Sequence, residues 1–272
     1  MKGLCVICDK LGPLTRDHVP PRGVAAAEPF LLRRLADLIS ADSVQDDSPR
    51  RGFQSPDFPS LCPECNGKRL GTEFDPALIT LASECAAWVR AASDLGLRFQ
   101  SGIVADIRVG RVIRSVVGHL LAAEERTARF KPPARGTMQE AMRRCFLDTS
   151  VAWPTDLHVY CWPYNSSDVV IVRGFGISRV LGRTHGPIVG DVLKFFPLAF
   201  WVTQESAAVT GYPLVDLAAF VDTSLDAVKR IELPLQRIPS ALWPERPRDQ
   251  EVILMHRERS YVAKRTRRER AV

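Results

Sequence analysis

The chain has 272 residues, of which 46% are hydrophobic and 25% are charged, a balance typical of a globular protein with one large domain or two modest ones. It contains no apolar run of about 18 residues, so we predict no transmembrane helix and no membrane partner. The formal net charge is +6, and residues 256–272 hold seven Lys or Arg against two Glu, so the rest of the chain is nearly neutral.

Two cysteine pairs frame the first part of the chain. Each pair has two residues between its thiols, and the four positions are Cys5, Cys8, Cys62 and Cys65. This spacing predicts a tetrahedral four-thiolate zinc site. The first pair follows the N-terminus too closely for an apolar signal region, which predicts a cytoplasmic protein. We expect the three scattered cysteines to be buried free thiols, namely Cys85, Cys145 and Cys161.

An Asp-His dipeptide, Asp17-His18, lies between the cysteine pairs and is followed by Pro20-Pro21, which ends any strand or helix there. A carboxylate and an imidazole drawn close to Asn66 by a shared zinc could bind a hard divalent cation and activate a water.

The stretch after the dipeptide reads as an insertion over 24–55. Within it, 28–40 has apolar residues at helical spacing and predicts a helix, whereas 41–55 is polar and predicts a loop. A short strand is expected over Asp57–Leu61, just before the third cysteine.

Helical patterns follow the second cysteine pair. Asp75-Pro76 is a helix start, with Asp as the cap and Pro at the first helical position, and it leads into a helix over 77–95. Amphipathic spacing predicts two more helices, over 107–128 and 136–147. His119, inside the helix predicted over 107–128, and His158 are expected to be structural.

Strand patterns dominate beyond residue 150. Residues 157–162 and 169–175 flank a turn and predict a hairpin. The remaining predicted elements are strands over 198–203 and 252–255 and a helix over 214–221.

The predicted fold class is α+β, in four parts. These are a zinc-stapled N-terminal domain over 1–80, a helical connector over 81–150, a C-terminal α+β domain over 151–255 and a basic tail over 256–272. The tail predicts attraction to polyanions, and the alternative is a solvated end without a partner.

The motifs together resemble the zinc-knuckle branch of the HNH endonucleases. The shared pattern is Cys-x2-Cys, Asp-His with Pro-Pro, and Leu-Cys-x2-Cys-Asn with a basic residue three places on, here Arg69. The resemblance covers residues 1–80 and implies a ββα-metal fold, with two short strands and a helix around a catalytic cation. The chain departs from the pattern at the middle Asn, where Asp57 stands, and in its long insertion.

The resemblance also implies roles for single residues. The four cysteines hold a structural Zn²⁺, Asp17 and Asn66 bind a catalytic Mg²⁺ or Mn²⁺, and His18 is the general base. The implied reaction is attack of water on a DNA phosphodiester, which leaves a 5′ phosphate and a 3′ hydroxyl. Candidate phosphate contacts are Arg16, Arg22, Lys68 and Arg69, any one of which could equally be a solvated surface residue.

Two alternatives to a freely active DNA endonuclease remain open. The first is a zinc-stapled module that binds nucleic acid or a partner protein without catalysis, which the Asp57 departure favours. The second is an effector of a bacterial defence system, silent until a partner protein activates it, which the nearly neutral body favours. The sequence predicts no particular oligomeric state.

Overall fold

The structure is a computed structural model that describes residues 1–24, 28–39, 49–94, 102–124, 134–179, 188–205, 211–246 and 251–266. Helices and strands are mixed within these residues, which confirms the α+β class. The described strands, β1 to β15, are Lys2–Leu4, Leu11–Pro13, Thr15–His18, Pro29–Arg34, Arg50–Phe53, Asp57–Leu61, Gly102–Arg108, His158–Pro163, Val169–Arg179, Ile188–Phe195, Leu198–Thr203, Val215–Asp216, Val228–Pro234, Glu251–Leu254 and Tyr261–Arg265. The described helices, α1 to α4, are Ala36–Ile39, Asp75–Asp94, Val109–Ala122 and Met138–Leu147. A π-helical segment, Glu64–Phe74, runs directly into α2, and a 3-10 turn spans Leu217–Phe220.

A small unit at the N-terminus has the order strand, strand, helix. Strand β3 pairs antiparallel with β6, with Asp17 opposite Phe58 and His18 opposite Asp57. The π-helical segment begins three residues after β6 ends. The β1–β2 hairpin joins this unit through a backbone bond of 3.1 Å from Val6 N to Ser60 O. The strand predicted over Asp57–Leu61 is therefore confirmed.

The second unit is a nine-stranded sheet with the order β12-β8-β11-β10-β9-β15-β4-β5, in which β14 also pairs with β9. Successive side chains of a strand point to opposite faces, and both faces are buried here. Phe200 and Val202 of β11 belong to one apolar cluster, whereas Ala199 and Trp201 belong to another. The sheet includes β4 and β5 of the insertion and β15, which lies within the segment predicted as a basic tail.

Helix α3 lies at the centre of the molecule and contacts both units. Almost every residue along it is buried, including Arg114, Ser115 and His119. A Cβ at Gly118 would lie 2.5 Å from Phe146 and 2.6 Å from Leu70, so only glycine allows α3 to approach α4 and the π-helical segment this closely. This approach brings the polar residues of α3 to the strand–strand–helix unit.

The helix predicted over 28–40 and the predicted hairpin are wrong. The helix predicted over 28–40 is instead strand β4 followed by the four-residue helix α1. Every second residue of β4 is buried at Phe30 and Leu32, as expected for a strand. Strand β4 pairs with β15 and β5. The predicted hairpin is also wrong, because β11 and β10 lie between β8 and β9.

Of the other predicted elements, the helix over 214–221 is also wrong, and the rest are found, most of them with shifted bounds. The three helices correspond to α2, α3 and α4, although α3 begins at Val109 because the residues before it form β7, which pairs with β13. The strands predicted over 198–203 and 252–255 correspond to β11 and β14, whereas 214–221 contains β12 and a 3-10 turn. Residues 41–48 of the predicted loop and 125–128 of the second helix lie outside the described residues. The end of that predicted loop is wrong, because Arg50–Phe53 form β5, which pairs with β4. No helix in the described ranges is long and apolar enough to cross a bilayer.

Candidate metal centre and active site

The four paired cysteines converge on one point. Their Sγ atoms all lie within 4.8 Å of one another, and the Sγ atoms of Cys8 and Cys62 are 3.6 Å apart. A tetrahedral zinc with Zn–S bonds of about 2.3 Å places its sulfurs about 3.8 Å apart, so the donor set fits the ion. Hydrogen bonding from Cys65 lowers the pKa of Cys5 to about 4, whereas burial raises the pKa of Cys8 to about 11 and the hydrogen bond with Cys5 raises the pKa of Cys65. Zinc binding therefore has to displace protons from these thiols.

Local backbone geometry forms each half of this cluster. In the β1–β2 turn, Cys5 N donates to Lys10 O at 3.1 Å and Asp9 N donates to Cys5 O at 3.0 Å. Asp9 adopts a φ of 59° there. The second pair lies where β6 gives way to the π-helical segment, and Asn66 N donates to Cys62 O at 3.0 Å. The cluster therefore fixes the start of this helical segment, and Asn66 with it.

The carboxamide of Asn66 lies against strand β3. Its Nδ2 donates to Thr15 Oγ1 at 2.9 Å and to Arg16 O at 3.0 Å. Thr15 Oγ1 already donates to Leu61 O at 3.0 Å, and a carbonyl only accepts. The amide nitrogen must therefore face β3. The amide oxygen accepts no hydrogen bond from any described residue.

The side chains of Asp17 and His18 lie in different environments, as expected for neighbouring residues of a strand. Asp17 is 3% exposed, and its Oδ2 accepts from His119 Nδ1 at 2.9 Å. Burial raises the pKa of Asp17, although the charge of His119 opposes the shift. No described residue donates to the other carboxylate oxygen, Oδ1.

His119 of α3 links two buried carboxylates. It is fully buried, and its Nε2 donates to Asp75 Oδ1 at 3.0 Å, where Ser115 Oγ also donates at 2.7 Å. Because both ring nitrogens face carboxylate oxygens, the ring is an imidazolium. Burial acts to lower the pKa of His119, but Asp17 and Asp75 raise it to about 10. The same cation lowers the pKa of Asp75 against the effect of burial.

His18 is half-buried, and Ser55 lies beside it. The two residues are in contact through His18 Nδ1 and Ser55 Oγ at 3.3 Å. Burial lowers the pKa of His18 below its ordinary value, and the charge of Arg22 adds to the effect. Both effects favour the neutral form of the ring. Its Nε2 has no hydrogen-bond partner among the described residues.

The candidate phosphate contacts are not all on one face. Arg16 is exposed and pairs with Asp57 Oδ2 at 2.8 Å, and exposed Arg22 follows β3 closely. Exposed Lys68 pairs with Glu64 at 3.2 Å one turn along the helical segment. Arg69 instead donates to Phe146 O at 3.3 Å, which directs it towards α4. Only Arg16 and Arg22 therefore lie beside His18 along the chain.

A separate cavity of about 590 Å³ lies between α2 and the nine-stranded sheet. Its lining includes Ala82 and Arg90 of α2, the Ser166–Ser167 turn and Arg265 of β15. None of Asp17, His18 and Asn66 lines it.

Comparison with protein-family models, curated proteins and solved structures finds no match for this chain. The chemistry of the site therefore rests on its own geometry. A four-thiolate cluster could hold zinc. Asn66 is bonded to Thr15 and Arg16 of β3, the strand that also carries Asp17 and His18, and Ser55 and His119 are contacts of these two residues that sequence reasoning missed.

Proposed function

We propose that this chain is a metal-dependent endonuclease of the HNH type that hydrolyses DNA phosphodiester bonds. The proposal includes a ββα-metal unit made of β3, β6 and the π-helical segment. One observation carries it: the cysteine cluster lies at the start of a helical segment whose third residue, Asn66, is bonded to the strand that holds Asp17 and His18.

The roles follow from the atoms that the fold leaves available. Asp17 Oδ1 and the amide oxygen of Asn66 are oxygen ligands of the kind that Mg²⁺ and Mn²⁺ prefer. Such a cation, when bound, supplies charge neutralisation at the phosphate and at the departing 3′ oxygen. His18 takes a proton from the attacking water at Nε2, while Ser55 holds the ring at Nδ1.

Cleavage of supercoiled plasmid tests this function. The zinc-loaded protein is expected to nick or linearise plasmid with Mg²⁺ or Mn²⁺ and to lose this activity with EDTA. His18→Ala is expected to remove cleavage, because His18 is the only imidazole on β3 and Asp17 is assigned to the cation. His158→Gln, which changes a histidine on β8, is the control and is expected to cleave like wild type. Cleavage by His18→Ala at the wild-type rate would rule out the proposed mechanism.

The burial of Asp17 favours a second candidate, a zinc-stapled module that binds nucleic acid without cutting it. A carboxylate that is 3% exposed and bonded to an imidazolium can be a purely structural ion pair. This candidate predicts DNA binding that does not depend on divalent cations, and no cleavage with Mg²⁺, Mn²⁺, Ca²⁺ or Ni²⁺. A gel-shift experiment with and without EDTA, run beside the plasmid assay, separates the two.

A further inference from the structure

A buried chain of polar groups runs from β3 into the centre of the molecule. It consists of Asp17, His119, Asp75 and Ser115, joined by bonds of 2.9, 3.0 and 2.7 Å. His119 is 0% exposed, whereas the side chain of Asp17 keeps 4% exposure. The side chain of Asp75 keeps 11% exposure, so both carboxylates keep some solvent contact, and Asp17 is the one next to His18 in the chain.

The bonding within this chain is uneven. Asp75 Oδ1 accepts hydrogen bonds from both His119 and Ser115, so the carboxylate of Asp75 has two donors. Asp17 receives one donor, at Oδ2, and no described residue bonds its Oδ1. Removal of two carboxylates and an imidazole from water is unfavourable unless they are paired. Here the pairing leaves one oxygen of each carboxylate without a described donor, Asp17 Oδ1 and Asp75 Oδ2, and Asp17 Oδ1 is the one on the strand that Asn66 contacts.

We propose that His119 is a positioning residue for the divalent cation: its Nδ1–H fixes the Asp17 carboxylate through Oδ2, so that Oδ1 is presented with the amide oxygen of Asn66. This inference rests on the proposed function. Hydrogen bonds from outer groups to a carboxylate ligand orient it, and their loss weakens metal affinity by about 10- to 100-fold. Helix α3 thereby becomes part of the site although it is distant from it in sequence.

Mn²⁺ titration of the full-length, zinc-loaded protein, followed by the EPR signal of free Mn²⁺, tests the proposal. Asp17→Asn identifies the Asp17-dependent site. His119→Gln, which is neutral and of similar size, is expected to weaken Mn²⁺ binding at that site about 10- to 100-fold, with one zinc still bound per chain. The matched control is His158→Gln, since His158 is also bonded to a carboxylate, Asp216, at 2.7 Å; it is expected to leave Mn²⁺ affinity unchanged.

A second readout separates positioning from general structural damage. The cleavage defect of His119→Gln is expected to be restored by raising the Mn²⁺ concentration, whereas the defect of His18→Ala is not. If His119→Gln does not fold, Asp75→Asn takes its place. This change weakens the hydrogen bond at His119 Nε2 but keeps an oxygen acceptor there. Weaker Mn²⁺ binding is again expected.

The outcomes that overturn the proposal are distinct. A folded His119→Gln, or in its place Asp75→Asn, with wild-type Mn²⁺ affinity would overturn the positioning role and leave the nuclease proposal standing. Mn²⁺ binding that Asp17→Asn does not weaken would overturn both, because the cation site itself would then lie elsewhere.

Discussion

At the residue scale, the three proposed site residues share one feature. In each, the fold fixes one polar atom and leaves another without a described partner. The fixed atoms are Nδ2 of Asn66, Oδ2 of Asp17 and Nδ1 of His18. The remaining atoms are two oxygens and an imidazole nitrogen, which is the set that a cation and a water molecule need. Such preorganisation by surrounding hydrogen bonds is typical of functional sites.

The electrostatics of His18 give a pH prediction. The pKa of His18 is below its ordinary value because of burial and then the charge of Arg22. A general base must be neutral, so the acid limb of the cleavage profile is expected below pH 6.5. Arg22→Gln removes the nearby positive charge, which allows the imidazolium to form at higher pH and moves this limb upwards. The pH dependence of plasmid cleavage measures the shift.

Arg51→Gln is the control for this shift, because Arg51 is exposed and is not among the charges that perturb His18. An acid limb that stays in place for Arg22→Gln, or moves to lower pH, would contradict the assigned role of the Arg22 charge.

The sequence predicts the site residues that belong to short motifs, but not the distant residues that hydrogen-bond to them. The cysteine pairs, Asp17-His18 and Asn66 are visible because spacing within each motif is short. Ser55 and His119 are 37 and 102 positions from the residues that they contact. The available signal for His119 is a titratable residue within an amphipathic helix, for which the sequence predicts a structural role.

At the scale of elements, α3 is the support shared by both units. Its closest approach is at Gly118, where Phe146 of α4 and Leu70 of the π-helical segment occupy the space of a side chain. Because Gly118 precedes His119, the same contact sets the depth at which His119 meets Asp17. Packing at this glycine and geometry at the site are therefore coupled.

Gly118→Ala is expected to destabilise the protein by about 1–3 kcal/mol, because the added methyl group overlaps two buried side chains. Gly67→Ala, in the π-helical segment, is the matched control. A Cβ there meets nothing within 4 Å, so alanine is expected to be neutral or to stabilise by up to about 1 kcal/mol. Urea unfolding measures both. Equal stability of the two variants would show that α3 does not pack as described.

The element predictions fail where an apolar pattern fits two kinds of element. The helices α2 and α3 have long periodic patterns and are recovered. The apolar residues of the run 28–40 fit both a helix and a strand. Its strand form is decided by pairing with β15, from the far end of the chain, which no local pattern contains.

At the scale of the whole molecule, one sheet joins distant parts of the sequence. Strands β4 and β5 come from the insertion, and β15 comes from the segment after residue 256. Strand β15 lies between β9 and β4, and its Tyr261, Val262 and Ala263 are buried. The segment has a basic composition, which predicts a tail over 256–272. The structure instead has an inner strand over Tyr261–Arg265.

Truncation tests this arrangement. A chain that ends after Leu254 lacks β15, which leaves β9 and β4 without their shared partner and exposes apolar side chains of both clusters. We expect this chain to be insoluble or to lack a cooperative thermal transition. A chain that ends after Thr266 keeps β15 and is the control. Cooperative unfolding of the shorter chain at the wild-type temperature would contradict the placement of β15.

The central claim is that a zinc-thiolate cluster organises a second cation site at Asp17 and Asn66, beside His18. Anomalous diffraction from crystals of the zinc-loaded protein soaked in MnCl₂, recorded at both metal edges, tests it most directly. The account predicts a zinc peak among the four paired cysteines and a manganese peak bonded to Asp17 Oδ1 and the amide oxygen of Asn66. A zinc peak at the cysteines with no manganese beside Asp17 and Asn66 at saturating MnCl₂ would contradict it.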